Sequence, residues 1–444
     1  MGQDRGGGWF PAWRLKAEGT IAPDERLPWP QTVIAGLQHV VAMFGSTALA
    51  PILMGFDPNV SILFSGIGTL IFFLIVGGRV PSYLGSSFSF IAVVIAATGY
   101  AGSGPNPNIA VALGGIIAAG VLYLAIGLAV MRAGYRWIET LMPPVVTGAV
   151  VAAIGLNLAP IAVKGISASG FDLFVGLTTV LATGLTAVYA PGLLRRIPVL
   201  VGGFVGYIVY AVGASSFGLA NPIDFSAAGA APWFGAPNFV TPTFSAGAMT
   251  LIAPVAIILV AENLGHIKAI SAMTGRNLDP YIGRAFVGDG IATIVSGAGG
   301  GTGVTTYAEN MGVMAVTRIY STLVFVVAGL FAILLGFSPK FGATILTIPG
   351  PVIGGLSVVV FGLITVTAGR IWVENRVDFS DTKNLITAGV AVIAGAGDLA
   401  VTVGGFQIGG IGTATFGAIL IYALLNRRAS GQHDEAKVPA AKAS

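Results

Sequence analysis

Glu262, His266 and Glu309 are the residues of this chain whose types and spacing could do chemistry. Glu262 and His266 stand four apart near the end of an apolar run that begins at Leu251, so they share one helix face. Glu309 follows a glycine-rich run, Gly297-Ala298-Gly299-Gly300-Gly301-Thr302-Gly303-Val304-Thr305-Thr306-Tyr307-Ala308. A carboxylate in hydrocarbon costs several kcal/mol or must hold a proton, so by default it marks a functional site. A glycine-rich break implies non-helical backbone, which membrane depth tolerates only where protein buries it or a polar cavity meets it. Two carboxylates and an imidazole there could bind a small polar ligand and pass a proton. Plainer readings stand beside this one. Glu262 and His266 could mark the cytoplasmic end of their span, close to Lys268, and Glu309 could cap a half-helix that follows it. Capping and ligand binding are compatible.

Other polar residues say less. Gln38-His39 in the first apolar stretch reads equally as a helix–helix hydrogen bond or as part of a site. Asp289, between Gly288 and Gly290, reads as structural or gating, and Asp398 sits beside a glycine break. Glu374, Arg376, Asp378, Asp381 and Lys383 read as a solvated loop. The sequence offers no phosphate-cradling loop, metal cluster or serine–histidine arrangement, and with no cysteine it offers no thiolate. No catalytic or metal-binding residue is therefore assigned, and neither an ATP-driven pump nor a membrane enzyme is expected. No cofactor is expected either.

The elements that must position these residues are membrane spans. Of 444 residues 55% are hydrophobic and only 9% charged, with a mean hydropathy of +0.87; soluble domains carry about 25% charged residues. The net charge of +4 is too small to suggest nucleic-acid binding. Apolar stretches read as fourteen spans near 31–54, 59–78, 86–99, 108–131, 137–160, 172–192, 198–218, 248–268, 285–298, 304–318, 320–338, 345–366, 385–398 and 403–425. With the N-terminus inside, the inner loops and tails hold all basic residues but Lys164 and Lys340, as the positive-inside rule requires. Residues 1–28 lack a signal-peptide core and read as a cytoplasmic tail; residues 426–444 read as a second, disordered one.

The chain also repeats itself. Pro144-Val145-Val146-Thr147-Gly148 leading to Gly155-Leu156 matches Pro351-Val352-Ile353-Gly354-Gly355 leading to Gly362-Leu363. Gly66-Ile67-Gly68-Thr69-Leu70-Ile71 is echoed by Gly290-Ile291-Ala292-Thr293-Ile294-Val295. Seven spans per copy is an odd number, so the second copy is inverted, the signature of a secondary transporter with glycine-interrupted segments at its site. Those segments are Val80–Phe90 and the stretch before Glu309, whose β-branched and aromatic residues favour short extended strands in spans 3 and 10. The half-helices opening after them would bring free N–H groups and positive dipole ends to the midplane. The expected fold is thus an all-α polytopic membrane protein of two inverted seven-span repeats.

Several separated motifs resemble the nucleobase–ascorbate transporter family. Its signature is Gln, Glu or Pro, then Asn-x-Gly, four free positions, Thr, and Arg, Lys or Gly. Glu309-Asn310-Met311-Gly312-Val313-Met314-Ala315-Val316-Thr317-Arg318 fits it, and Gln38-His39, Ser86-Ser87-Phe88 and Glu262-x-x-x-His266 match other characteristic positions. The similarity runs from about Leu27 to Leu425 and is greatest with uracil permeases, especially the pyrimidine permeases encoded with pyrimidine-utilisation genes, which share the Pro23-Asp24-Glu25-Arg26-Leu27-Pro28 entry. The resemblance implies a core domain (29–135 and 248–340), a gate domain (136–220 and 341–425) and an outer loop at 221–247. It implies substrate contacts at Glu262, Glu309, Ser46, and the backbone of Phe88 and Ala308, with Tyr307, Asn310, Gln38 and His39 in support. Relatives often carry glycine at Ala308, which matters little for a backbone contact, and one carries alanine at Ser46, which could tune pocket polarity. His266, with Glu309, would couple transport to protons; sodium is the other candidate ion. The implied protein is a symporter importing uracil, and thymine as a further candidate, across the inner membrane by movement of core against gate, as a homodimer through the gate domains. A purine symporter for xanthine or urate is the nearest alternative. An anion transporter or channel is the alternative of another class, and two acids at the site argue against it.

Overall fold

The computed structural model describes residues 8–435 apart from 101, 103, 193, 404 and 405. The basic residues Arg5, Lys437 and Lys442 of the charge map lie outside the described residues. Among the described residues eight helices are long and apolar enough to span a membrane: α1 (Trp29–Met54), α2 (Pro58–Ile75), α4 (Ile109–Ala133), α5 (Pro144–Ile166), α6 (Gly170–Tyr189), α7 (Pro198–Phe217), α8 (Ala246–Thr274, interrupted at 253–254) and α12 (Gly350–Glu374). A ninth candidate is α11 (Thr322–Gly336) with the short Pro339–Ile345 helix bent 86° from it. The other five segments fail that test for visible reasons. The half-helices α3 (Ile91–Thr98) and α10 (Ala308–Thr317) are too short, and α9 (Ile282–Gly299) carries Arg284, Asp289 and five glycines. Of the last two, α13 (Thr382–Ala396) has 15 residues, and α14 (Gly410–Glu435) turns polar in its second half. Helical backbone in α14 continues to Glu435, past the point where a disordered tail was expected.

Two compact units can be described. The larger comprises residues up to 135 together with 160–360, the smaller 136–159 with 361 onward. Within the larger unit the closest packing is between α4 and α9 and between α2 and α11. Glycines of the sequence repeat make both possible: a Cβ on Gly66 would stand 2.4 Å from the Gly329 carbonyl oxygen, and one on Gly290 2.6 Å from the Leu124 nitrogen. Backbone cannot yield as a flexible side chain does, so Gly66→Ala should cost about 1–3 kcal/mol. Thermal unfolding in detergent should therefore show a clearly lowered midpoint for Gly66→Ala and an unchanged one for Gly362→Ala, whose Cβ meets open space.

Residues 9–28 pack against other segments of the larger unit, to which they belong. Trp9 Nε1 donates to the Leu74 carbonyl (2.8 Å), Trp13 Nε1 to Thr322 Oγ1 (2.9 Å), and Asp24 pairs with Arg276 (2.5 Å). Ile21 exchanges backbone hydrogen bonds with Arg318 and Tyr320, at the end of α10. Arg318 closes α10 in the left-handed region (φ 54°), which explains why the family signature also accepts glycine at that position.

The element that matters most for function is the smallest. Strand β1 (Leu84–Ser86) precedes α3, strand β2 (Val304–Thr306) precedes α10, and the two pair antiparallel with Leu84 opposite Thr306 and Ser86 opposite Val304. All six residues are buried.

Candidate functional site

A two-stranded ribbon has two open edges, and exposed edge groups cannot be left in a water-free interior. Here the inner rungs are backbone: Ser87 N–H donates to the Gly303 carbonyl (2.9 Å) and Tyr307 N–H to the Tyr83 carbonyl (3.0 Å). The outward-facing groups meet side chains. Leu84 N–H donates to Thr69 Oγ1 (2.9 Å), and Val304 N–H to Thr293 Oγ1 (3.4 Å), which donates back to the Val304 carbonyl (3.1 Å). The Ser86 carbonyl accepts from the Tyr307 hydroxyl (2.8 Å), which itself accepts from Thr47 Oγ1 on α1 (3.1 Å). Gly85 is required beside it, since a Cβ there would stand 2.5 Å from the Tyr307 ring. Removing this bridge strands a buried carbonyl at a cost of about 1–3 kcal/mol. Tyr307→Phe should accordingly weaken ligand binding about tenfold in a titration, with the fold retained by circular dichroism.

Where the ribbon ends, helices begin. Ser87 caps the turn at Phe88–Phe90 by accepting from Ser89 N–H (3.3 Å), and Phe88 is half-buried at its start. On the other strand α10 starts at Ala308 with no side-chain cap from Tyr307, so its first-turn N–H groups lack an intrahelical partner. The chain is buried from Gly301 to Tyr307 and again at Asn310, yet Ala308 and Glu309 are exposed. An acid and the positive end of a half-helix therefore meet at an accessible position.

The sequence-predicted residues gather around that point. Ser46 Oγ donates a short hydrogen bond to Glu309 Oε1, so α1 fixes the carboxylate from one side. Glu262 lies within electrostatic reach of Glu309. Helix α8 runs on to Thr274, so Glu262 and His266 lie inside it and do not mark its end. His266 Nδ1 and Thr306 Oγ1 share a hydrogen bond (2.8 Å), while Thr306 Oγ1 donates to Asn263 Oδ1 (3.4 Å). Thr306 Oγ1 thus links the imidazole of His266 to Asn263.

Asn310 Nδ2 donates to His39 Nδ1 and to the His39 carbonyl (3.0 Å each), and the His39 ring packs on Phe325 at 4.6 Å. These bonds tie α10, the helix that carries Glu309, to α1. Gln38 is half-buried on the same helix and takes no part in these bonds.

Asn263 and Tyr123, not singled out in the sequence, connect Thr306 to Asp289. Asn263 Nδ2 donates to Tyr123 OH (2.9 Å) and makes a short bond to Asp289 Oδ2, which also accepts from Tyr123 OH (3.2 Å). Asp289 is fully buried, and its Oδ1 has no hydrogen-bond partner among the described residues. Thr306 thus joins His266 to a buried acid. The only advance signal was that Asn263 lies between Glu262 and His266, and Thr306 directly before Tyr307. A separate cavity of about 420 Å³ lined by Trp137, Tyr422 and Asn426 lies in the smaller unit and contains none of these residues.

Comparison with known proteins bears on what this site handles. Residues 30–404 match the Permease family (Xan_ur_permease). RutG of Escherichia coli (strain K12), a protein named as a pyrimidine permease, is 64% identical over 423 residues, covering 94% of this chain and 96% of its own. A uracil permease of Bacillus caldolyticus is 41% identical over 414 residues, covering 90% and 93%. Among solved structures, SLC26A9 superposes with a TM-score of 0.61 at 12% identity, over 90% of this chain and 65% of that one. The chain thus spans about two thirds of the length of that neighbour, and the likeness is one of fold. The fold is the arrangement of two inverted seven-span repeats expected from the sequence.

Proposed function

This chain belongs to the Permease family, and on that premise we propose that it carries uracil, with thymine as a second candidate, across the membrane together with protons. The observation that carries the reading is the exposed Glu309 beside the uncapped N–H groups of α10, with Glu262 in electrostatic reach. Uracil presents ring N–H donors flanked by carbonyl acceptors. A carboxylate accepts from the N–H groups, and backbone N–H groups at Phe88 and Ala308 donate to the carbonyls. A site that pairs donors with acceptors rejects analogues that leave one unpaired by large factors. The names of the relatives support a pyrimidine over a purine. An anion transporter on the same fold would meet repulsion from two acids.

In this reading the imidazole of His266 takes the coupled proton. Protonation places a positive charge one helical turn from Glu262 and raises the affinity of the acid pair for the neutral nucleobase. Movement of the core against the gate then exposes the site to either side in turn, and the gate domains pair two copies as a homodimer. The chain acts as a transporter and not as an enzyme. It sits in the inner membrane with both termini in the cytoplasm, as the basic-residue distribution supports. Isothermal titration of the purified protein with uracil, xanthine and bicarbonate tests the substrate. Saturable heat with uracil and none with bicarbonate is expected; binding of bicarbonate without uracil contradicts the reading.

A further inference from the structure

We propose that Thr69 and Thr293 are a matched pair of positioning residues that hold the ligand-binding ribbon in register, so that the backbone N–H groups at Phe88 and Ala308 stand where a nucleobase can meet both. The inference rests on the nucleobase reading of the site.

Three observations converge on it. The two threonines occupy equivalent places in the internal repeat, Gly66-Ile67-Gly68-Thr69 and Gly290-Ile291-Ala292-Thr293. Each accepts from the first N–H of a strand: Thr69 from that of β1 and Thr293 from that of β2. Thr69 Oγ1 accepts from Leu84 N–H (2.9 Å) and gives its own proton to the Ser65 carbonyl (2.8 Å), while Thr293 Oγ1 accepts from Val304 N–H (3.4 Å) and donates to the Val304 carbonyl (3.1 Å). Both side chains are fully buried. The equivalent residues before them also meet, since a Cβ on Gly68 would stand 3.2 Å from that of Ala292. The two copies therefore touch at matching positions, with one threonine reaching to each strand.

The physics explains why a hydroxyl is needed. Leu84 and Val304 turn their N–H and C=O away from the partner strand, so no backbone can satisfy them. One hydroxyl both accepts and donates, so each threonine takes the strand N–H while its proton goes to a carbonyl, that of Ser65 for Thr69 and that of Val304 for Thr293. Valine has nearly the same shape but leaves the strand N–H bare in either copy, and for β2 the Val304 carbonyl as well. Thr306, at the far end of β2, is held instead by the ring of His266. Thr293 thus anchors one end of β2 permanently, while the other end is held by the group proposed to take up the proton.

The test uses the full chain with Thr69 and Thr293 changed singly to Val, Ser and Ala, uracil titration, and hydrogen exchange of the peptides containing 84–86 and 304–306. Valine and alanine should each weaken uracil binding about tenfold and speed exchange of their own strand, while serine keeps the wild-type values. Valine at wild-type affinity with serine weakened would mean that packing matters and the hydroxyl does not, and overturns the proposal. If wild type binds no uracil, the nucleobase reading has failed, and exchange alone decides the latch: faster in the valine variants supports it, unchanged refutes it. If a valine variant does not fold, the serine and alanine variants decide: serine tighter than alanine supports the proposal, equal affinities overturn it.

Discussion

Glu309→Gln should lower uracil uptake about a hundredfold, because a charged hydrogen-bond acceptor is replaced by an amide that offers an N–H where the ligand also offers one. Hydrogen bonds to charged groups contribute about 1.5–3 kcal/mol, and a clash of two donors adds the cost of a buried group without a partner. The fold should survive, since Glu309 is exposed, its α10 carries no side-chain cap, and Asn310 still ties that helix to His39. Ser46 would lose its strong acceptor but could bond the amide oxygen. Uptake of labelled uracil by cells expressing equal amounts of each protein measures the effect; uptake within twofold of wild type would remove Glu309 from the site.

The second large effect is expected from His266. His266→Leu removes the basic nitrogen and releases Thr306, while Glu262 and Glu309 remain. A carrier coupled to one proton can accumulate substrate about tenfold for each pH unit across the membrane. The leucine variant should lose that pH-driven accumulation entirely and keep some exchange of labelled for unlabelled uracil. Accumulation that still follows the pH gradient would transfer the coupling role to another group, with Asp289 the first to examine.

Much of this was legible in the sequence. Composition and the one-sided placement of basic residues announce a multi-pass membrane protein, and the glycine-rich run before Glu309 announces a broken span. The short extended segments were readable from β-branched and aromatic residues at 84–90 and 304–307, because such residues fit a pleated surface and resist helix. Helix ends were harder. The apolar run ends near Lys268, but α8 continues to Thr274, since packing and local pairing such as Lys268 with Asp279 (2.9 Å) carry a helix past its apolar stretch. The N-terminal segment read as a polar tail, because Trp9, Trp13 and Asp24 show their partners only once Leu74, Thr322 and Arg276 are brought beside them. His39 could not be resolved from its neighbours in sequence; its partner Asn310 lies half a chain away. Thr69 and Thr293 were in plain view as part of the repeat. Their role was not, because an edge hydrogen bond depends on the register of a ribbon that only the folded chain defines.

The central claim is that the acids and the imidazole around Glu309 bind a pyrimidine and tie its passage to protons. Purified protein reconstituted in liposomes, given labelled uracil with and without a pH gradient acid outside, tests it most directly. The account predicts concentrative uptake that requires the gradient, collapses with a protonophore, and is competed by unlabelled uracil but not by bicarbonate. Uptake indifferent to the gradient, or no uptake of uracil at all, would contradict it.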